Sequence, residues 1–285
     1  MRYAEYRPSP GLAGLVERFW VLEGVASGVP DAIFPDGRVE IVFHYGGTFW
    51  RHGGDASRAV AASRAGDAAR GGDAAPERQP DAMVVGQMLA PVRLAPEGRA
   101  GVAAVRLRPA AARSLVGFSL DEIAGRFVDL DQLFPSAARM RERLAEATSD
   151  TRRIALLEEW LTRHVRVRGE GDVRVDAVAR AIEASGGRAS IEALARTMGL
   201  HVRQLERLFL QEVGLTPKTF ARIRRLQGAL RRIRDGAPLS AAAVDCGYYD
   251  QAHMALDFRR LASMSPRAWQ KHAGELAPLF VTGGR

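Results

Sequence analysis

The stretch from Ser190 to Trp269 can be laid over itself, and this repeat limits the fold more than any other feature of the chain. Ala195, Gly199, Phe209, Pro217 and Phe220 answer to Ala243, Gly247, Phe258, Pro266 and Trp269. The steps are 4, 10, 8 and 3 residues in the first copy and 4, 11, 8 and 3 in the second. Glycines, apolar anchors and prolines repeating at matched spacing mark a duplicated supersecondary unit.

Each copy reads as a helix-turn-helix. Ser190 is an N-cap candidate, with Ile191, Leu194 and Ala195 inward at helical spacing. Met198-Gly199-Leu200 breaks that helix, because glycine turns the chain at positive φ without steric cost. A second helix follows, with Leu205, Leu208 and Phe209 on one face. In the second copy Pro238 and Ser240 open a helix with Ala242 and Ala243 inward, and Gly247 makes the turn. Asp250 caps the next helix, whose apolar stripe is Met254, Phe258 and Leu261. Between the copies, Thr216 to Arg234 reads as one long helix, with Pro217 at a helix-starting position and Phe220, Ile223, Leu226, Leu230 and Ile233 recurring three or four apart. Its nineteen residues span about 28 Å at roughly 1.5 Å per residue. Successive major-groove faces of a DNA duplex lie about 34 Å apart, so such a helix suits holding two reading helices about one turn apart.

Residues 173–273 resemble the DNA-binding domain of AraC/XylS-type transcription regulators, in which two such units are joined by a long helix. The residues that carry the resemblance are Ile191-Glu192-Ala193-Leu194-Ala195, Gly199-Leu200, Leu205-Glu206-Arg207-Leu208-Phe209, Gly214-Leu215-Thr216-Pro217, Gly247-Tyr248-Tyr249-Asp250-Gln251-Ala252-His253 and Ser265-Pro266. The sequence departs from the family's pattern at three positions. His201 replaces the usual serine cap, so the first reading helix is expected to fray at its start. Leu256 replaces a commonly basic residue, and Ser263 replaces a helix-ending glycine.

Charge agrees with this assignment. The formal net charge is +8. Residues 1–172 carry 23 basic and 23 acidic side chains, and residues 173–285 carry 18 and 10, so the back half holds the whole excess. A locally basic domain is the electrostatic footprint of phosphate-backbone binding. The single cysteine, Cys246, permits no internal disulfide and fits a reducing compartment as a buried structural residue. Met1-Arg2-Tyr3 leads into polar sequence, and no apolar run approaches the roughly 20 residues of a membrane span. A cytoplasmic protein without a membrane partner is expected.

The first 110 residues are read as mostly β. Arg18–Leu22, Arg38–Tyr45, Met83–Met88 and Gly101–Leu107 are short runs rich in Val, Ile, Phe and Tyr, bounded by Pro35-Asp36-Gly37, Gly46-Gly47 and Ala95-Pro96-Glu97-Gly98. Val39, Ile41, Phe43 and Tyr45 alternate with Glu40, Val42 and His44, a pattern of partial burial. Residues 51–80 hold little that is large and apolar except Val60 and are expected to form a flexible loop. Helical periodicity takes over from Pro109 to His164, through Leu115, Leu144, Ile154, Leu157, Trp160 and Leu161. Val167-Arg168-Gly169-Glu170-Gly171-Asp172 reads as a linker. The expected class is α+β. Residues 1–165 form a β-rich barrel or sandwich with trailing helices, 166–172 a linker, and 173–285 an all-α domain with two helix-turn-helix units. The front half resembles the cupin-like sensor half of AraC-type regulators through Phe34-Pro35-Asp36-Gly37-Arg38-Val39-Glu40, Val85-Gly86-Gln87 and Val105-Arg106-Leu107-Arg108-Pro109.

No catalytic constellation is found. Glu40, His44 and His52 are too far apart in sequence to suggest a shared metal site, and neither a Gly-rich phosphate loop nor a serine elbow occurs. Cys246 lacks the neighbouring base that a nucleophile of the DNA-repair methyltransferase kind needs. No metal, cofactor or catalytic residue is therefore assigned. Trp20, Phe34, Phe43, Phe49 and Trp50 are the candidate effector-pocket residues. With Leu205, Leu208 and Phe209 inward, a turn of about 100° per residue puts Arg203 and Arg207 on the outer face with Glu206 at its edge. The same construction on the second helix exposes Ala252 and Leu256, flanked by Gln251 and Ala255, with Arg259 and Arg260 a turn further on. His253, inside the family-like motif, joins this set of DNA-contact candidates. The expected function is a sequence-specific regulator that binds double-stranded DNA under control of an unknown small-molecule effector. RNA polymerase and a second copy of the chain are further candidate partners. Two alternatives stay open: an enzyme with a β-barrel active site and a DNA-targeting tail, and a constitutive architectural DNA-binding protein.

Overall fold

A computed structural model of the chain describes residues 1–25, 28–52, 75–165 and 171–272. Among the described residues the front half has ten strands: β1 (Arg2–Tyr6), β2 (Val16–Val25), β3 (Asp31–Ile33), β4 (Glu40–His44), β5 (Phe49–His52), β6 (Glu77–Arg78), β7 (Ala82–Val85), β8 (Val92–Pro96), β9 (Arg99–Leu107) and, after a short helix, β10 (Phe127–Asp129). They make two antiparallel sheets, one of six strands in the order β1-β2-β9-β4-β7-β10 and one of four in the order β3-β8-β5-β6. β4 lies between β9 and β7, with Ile41 opposite both Val105 and Val84. The β4–β5 connection passes so close to the β8–β9 turn that a Cβ on Gly47 would lie 2.2 Å from the Glu97 carbonyl oxygen. Only glycine fits there.

Side chains of the six-stranded sheet alternate between two buried faces. Phe19, Val21, Ile41, Phe43, Ala103 and Val105 pack outward against helices α1 (Ala112–Val116), α2 (Ala137–Glu146) and α3 (Asp150–His164). Trp20, Leu22, Val42, Met83, Val102 and Ala104 point the other way, towards Ile33 and Phe49 of the four-stranded sheet. The alternation read along residues 39–45 is therefore present, but Val42 and His44 on its second face are buried too. The pattern separates two packed faces, not core from solvent.

The back half contains α4 (Val173–Ala184), α5 (Ile191–Thr197), α6 (Val202–Val213), α7 (Pro217–Arg234), α8 (Leu239–Asp245), α9 (Gln251–Ala262) and α10 (Pro266–Gln270). The Ser190 hydroxyl accepts from the Ala193 N–H at 3.1 Å, Thr216 Oγ1 from Thr219 N–H at 3.2 Å, and an Asp250 carboxylate oxygen from His253 N–H at 2.7 Å. Each satisfies a donor that the helix start would otherwise leave unpaired. The turn glycines Gly199 and Gly247 sit at φ 66° and 76°. The α6 start is not left to fray, because Gln204 Oε1 accepts from the His201 N–H at 3.0 Å, half of a capping box. Ser263 ends α9 at φ 53°, the one non-glycine residue at positive φ among those described. It takes up the left-handed conformation that glycine would adopt more cheaply.

The expected loop over 51–80 is narrower at both ends, since Arg51 and His52 belong to β5 and Glu77 and Arg78 to β6; residues 53–74 lie outside the described residues. Of the expected linker, residues 166–170 also lie outside them, and Asp172 caps α4 through the Arg174 N–H at 2.9 Å. Cys246 is half-buried and free, and burial raises its thiol above the usual range. Among the described residues no helix is long and apolar enough to cross a membrane.

Candidate nucleic-acid interface and enclosed cavity

The α6 helix buries Leu205, Phe209 and Val213 completely. Arg203 and Arg207 are exposed on its opposite side and Glu206 is half-buried at the edge. Neither arginine forms an ion pair with a described residue, so both guanidinium groups are available to a ligand. Near the end of the helix, buried Glu212 is paired with Arg113 of α1. The α6 helix is thus braced by the front half as well as by its neighbours in the back half.

In α9, Met254, Phe258 and Leu261 are buried, while Gln251, Ala252, Arg259 and Arg260 are exposed and Leu256 is 47% exposed. His253 differs from the other candidates. It is half-buried and its ring meets Tyr248 edge-on at 5.3 Å, so it braces the helix start. Two residues on this unit were missed by sequence reasoning. Tyr249, 90% exposed, stands beside the turn as an aromatic surface with nothing to bury it. Asp257, 3% exposed, accepts from Arg222 Nε at 3.0 Å and Nη2 at 2.6 Å and so ties α9 to α7. Its signal was an acid three residues after Met254, on the inward face.

Between the two sheets lies a cavity of about 80 Å³. Of the five aromatic candidates, Trp20 and Phe49 line it. The other three do not. Phe43 belongs to the opposite face of its strand and meets Trp160 edge-on at 5.7 Å. Trp50 lies half-buried at the surface, its indole N–H donating to Glu97 at 2.7 Å. Phe34 leaves the front half altogether, because β3 ends at Ile33 and Pro35 follows, projecting the ring into the back-half core.

The polar end of the cavity is held by a buried ion-pair network. Arg106, 2% exposed, reaches Glu40 at 2.7 Å and Asp36 at 3.2 Å, and Trp20 Nε1 donates to Glu40 at 3.2 Å. Arg38 joins Glu17 of β2 to Glu183 of α4, the latter at 2.5 Å. Burial raises the Glu40 carboxyl, opposed by the Arg106 charge; burial also acts on Glu17, but there the charge of Arg38 prevails and brings it down to about 2. Among the described residues no group of three or more His, Cys, Asp or Glu side chains is placed to hold a metal ion.

The segment from Ile33 to Arg38 belongs to both regions. Ile33, Asp36 and Arg38 line the cavity. Phe34, 1% exposed, meets Trp269 of α10 edge-on at 5.3 Å. The Pro35 carbonyl accepts from Gln227 Nε2 at 2.7 Å and the Asp36 carbonyl from Arg224 Nη1 at 3.1 Å, both on α7. Gly37, at φ 77°, lies against Phe220, where an added Cβ would approach to 2.7 Å. Gln227 was also missed; a glutamine with no exposed surface in the middle of an apolar helix face is a sign of such a partner.

Residues 194–272 match a family model described as a helix-turn-helix domain, and residues 4–129 match a domain of unknown function (DUF6597). A probable AraC family transcriptional regulator from Rhodopseudomonas palustris is 32% identical over 35% of this chain and 96% of its own, with a TM-score of 0.32. The chain belongs to the AraC family of transcription regulators. ToxT from Vibrio cholerae is 10% identical over 89% of this chain and 98% of its own, with a TM-score of 0.47. Another ToxT structure holds (E)-4-(8-methylnaphthalen-1-yl)but-3-enoic acid; it is 9% identical over 95% of this chain and 99% of its own, with a TM-score of 0.47. Membership rests on the sequence matches, to which superpositions at these TM-scores add nothing. No curated relative matches the chain. As an AraC-type helix-turn-helix protein it is a DNA-binding transcription regulator, with a β-rich front half and a helical back half.

Proposed function

We propose that this regulator is controlled by a small molecule in its front half and reads two successive major grooves of one duplex with α6 and α9. The 18-residue α7 helix supports the spacing, since it spans about 27 Å at 1.5 Å per residue. Arg203, Arg207 and Gln251 supply the hydrogen-bonding side chains of the two reading faces. The single observation behind effector control is the Ile33–Arg38 segment. It forms cavity wall at Ile33, Asp36 and Arg38 and is clamped to α7 and α10 at Phe34, Pro35 and Asp36. A ligand that shifts this wall must move the clamp, and a packed interface of this kind has discrete arrangements. The same contacts favour a regulated protein over a constitutive architectural one. Catalysis is not part of the proposal: the carboxylates at the cavity's polar end, Asp36 and Glu40, are paired with Arg106.

Footprinting of the full chain tests the first half of the proposal. Two protected patches are expected on one side of the duplex, about 34 Å apart. A single patch, or two on opposite sides, overturns the two-groove reading. Phe34→Leu with Gln227→Leu should change how strongly cavity ligands alter DNA affinity. An unchanged response overturns the route through this segment.

A further inference from the structure

The cavity has a chemical bias that effector control alone does not specify. Its walls are apolar, with Leu22, Val42, Val102, Val92, Leu94 and Phe127 among them. At the polar end, Arg106 already meets Glu40 and Asp36, and Arg38 already meets Glu17 and Glu183. An entering carboxylate would compete with two carboxylates for either arginine and lie beside acids it repels. A sugar would bring several hydroxyl groups to a cavity whose charged side chains are already paired and whose other lining is apolar apart from Gln79 and His44, too few partners for a ring of hydroxyls. Among the described wall residues His44 has a buried ring nitrogen that pairs with nothing. His44 is 5% exposed, its ring lies against Phe49 at 4.6 Å, and its Nδ1 is buried with no hydrogen-bond partner among the described residues. An unpaired polar atom on a residue that lines a largely apolar cavity marks a place where a ligand group or a water belongs once the wall shifts to admit it.

We infer that this cavity takes a compact, uncharged, largely apolar molecule with one hydroxyl group that donates to His44, a single-ring phenol being the best match. The inference rests on the effector reading for the identity of the site, but its chemistry stands on the wall residues. Burial holds the imidazole well below its ordinary range, at about 4, so at neutral pH it is uncharged and one ring nitrogen accepts. Size sets the other limit. An engineered apolar cavity of about 150 Å³ binds benzene, and this one is about 80 Å³. A single ring therefore enters by displacing flexible wall, which Met83 and Met88 provide. A fused-ring or long-chain ligand would need more.

The test is calorimetric titration of the full-length protein with phenol, anisole, toluene, benzoate and glucose. Phenol is expected to bind about tenfold more tightly than anisole, which has the same ring but cannot donate, and than toluene. Benzoate and glucose are expected to show no binding in the cavity. His44→Leu should bring phenol and toluene to equal affinity while the protein stays folded. If that variant does not fold, the phenol-to-anisole ratio in the unaltered protein decides. Benzoate binding at least as tightly as phenol, a ratio near one between phenol and anisole, or no binding by any of the five overturns the inference. A DNA-affinity titration with saturating phenol separates the two readings. Phenol that binds as described but leaves DNA affinity unchanged sinks effector control and keeps the ligand class. Benzoate that binds and alters DNA affinity does the reverse.

Discussion

Phe34 is the sharpest place to perturb the coupling between the halves. It is 1% exposed and sits in the back-half core with Val175, Phe220 and Trp269 although it is carried by the front half. Truncating a fully buried Phe to Ala costs about 3–5 kcal/mol, and an edge-on aromatic pair adds roughly 0.5–1.5 kcal/mol beyond area. The flanking clamps at Pro35 and Asp36 remain in the variant and limit how far the segment relaxes. The expected loss for Phe34→Ala is therefore about 4 kcal/mol, or roughly 10 °C in melting temperature for a chain of this size. Phe34→Leu nearly conserves volume and should cost less than about 1.5 kcal/mol. Urea denaturation measures the loss, and a chain in which Trp50 and Trp160 are replaced by Phe gives a fluorescence signal to which Trp269 contributes directly, because it lies against the ring at 5.3 Å. A loss below about 1 kcal/mol for Phe34→Ala would show that the ring does not hold the halves together. So would an unchanged Trp269 signal.

Two further perturbations bear on the cavity and on the second reading helix. His44 is held neutral down to about pH 4 by burial, with Asp81 opposing and Arg78 assisting more weakly. The unfolded chain takes up that proton near pH 6.5. Between those values the unfolded state binds more protons, so stability rises with pH there and falls on acidification, by about 2 kcal/mol from pH 7.5 to pH 5. His44→Phe should flatten that part of the stability curve, and an identical curve would refute the assignment. Asp257→Ala removes the partner of Arg222, whose side chain is 24% exposed. The full cost of breaking a buried pair, about 3–5 kcal/mol, is then eased by solvent to about 2 kcal/mol. Affinity should fall for every duplex with the salt slope unchanged; a loss confined to particular base pairs would make Asp257 a reader and not a brace.

The back half was legible because its determinants are local. Caps at Ser190, Thr216 and Asp250 and turns at Gly199 and Gly247 lie within a few residues of what they control. The α+β class was legible for the same reason, from period-2 and period-3.6 runs in succession. The front half yielded β4 and parts of β2, β7 and β9, but β3, β6 and β10 are two or three residues long, too short for any period to show. Parity along β4 could have sorted the cavity residues. Phe43 shares parity with Ile41 and faces the helices, while Val42 and His44 face the cavity. What hides this is burial on both faces, since alternation ordinarily separates inside from outside. The partners of Phe34 and Gln227 were not legible, because each packs against residues far away in sequence, 192 positions for the Gln227 bond to Pro35.

The division of labour proposed for α6 and α9 follows from which side chains the folded back half leaves free. On α6 the two exposed arginines, Arg203 and Arg207, stand four residues apart, one turn of helix, above a fully buried Leu205 and Phe209. Arginine pairs bidentately with guanine, each such contact being worth roughly 1–3 kcal/mol of discrimination. On α9 the corresponding surface is Gln251, Ala252 and Leu256, and the arginines Arg259 and Arg260 come only in the last turn. A glutamine is one hydrogen-bonding reader, and Leu256 can do no more than touch a thymine methyl group. The positive charge behind them suits phosphates, which position a protein without specifying sequence. Arg203→Ala or Arg207→Ala should therefore relax preference at particular base pairs. Arg259→Ala should weaken binding to all duplexes alike and reduce the log–log salt slope by about 0.9, the value for one lost phosphate contact. Leu256→Ala should leave most of the specificity in place. Binding selections on randomised duplexes at two salt concentrations measure all four variants together. Preferences that survive both arginine changes and collapse with Leu256→Ala would place the sequence reading on α9 instead.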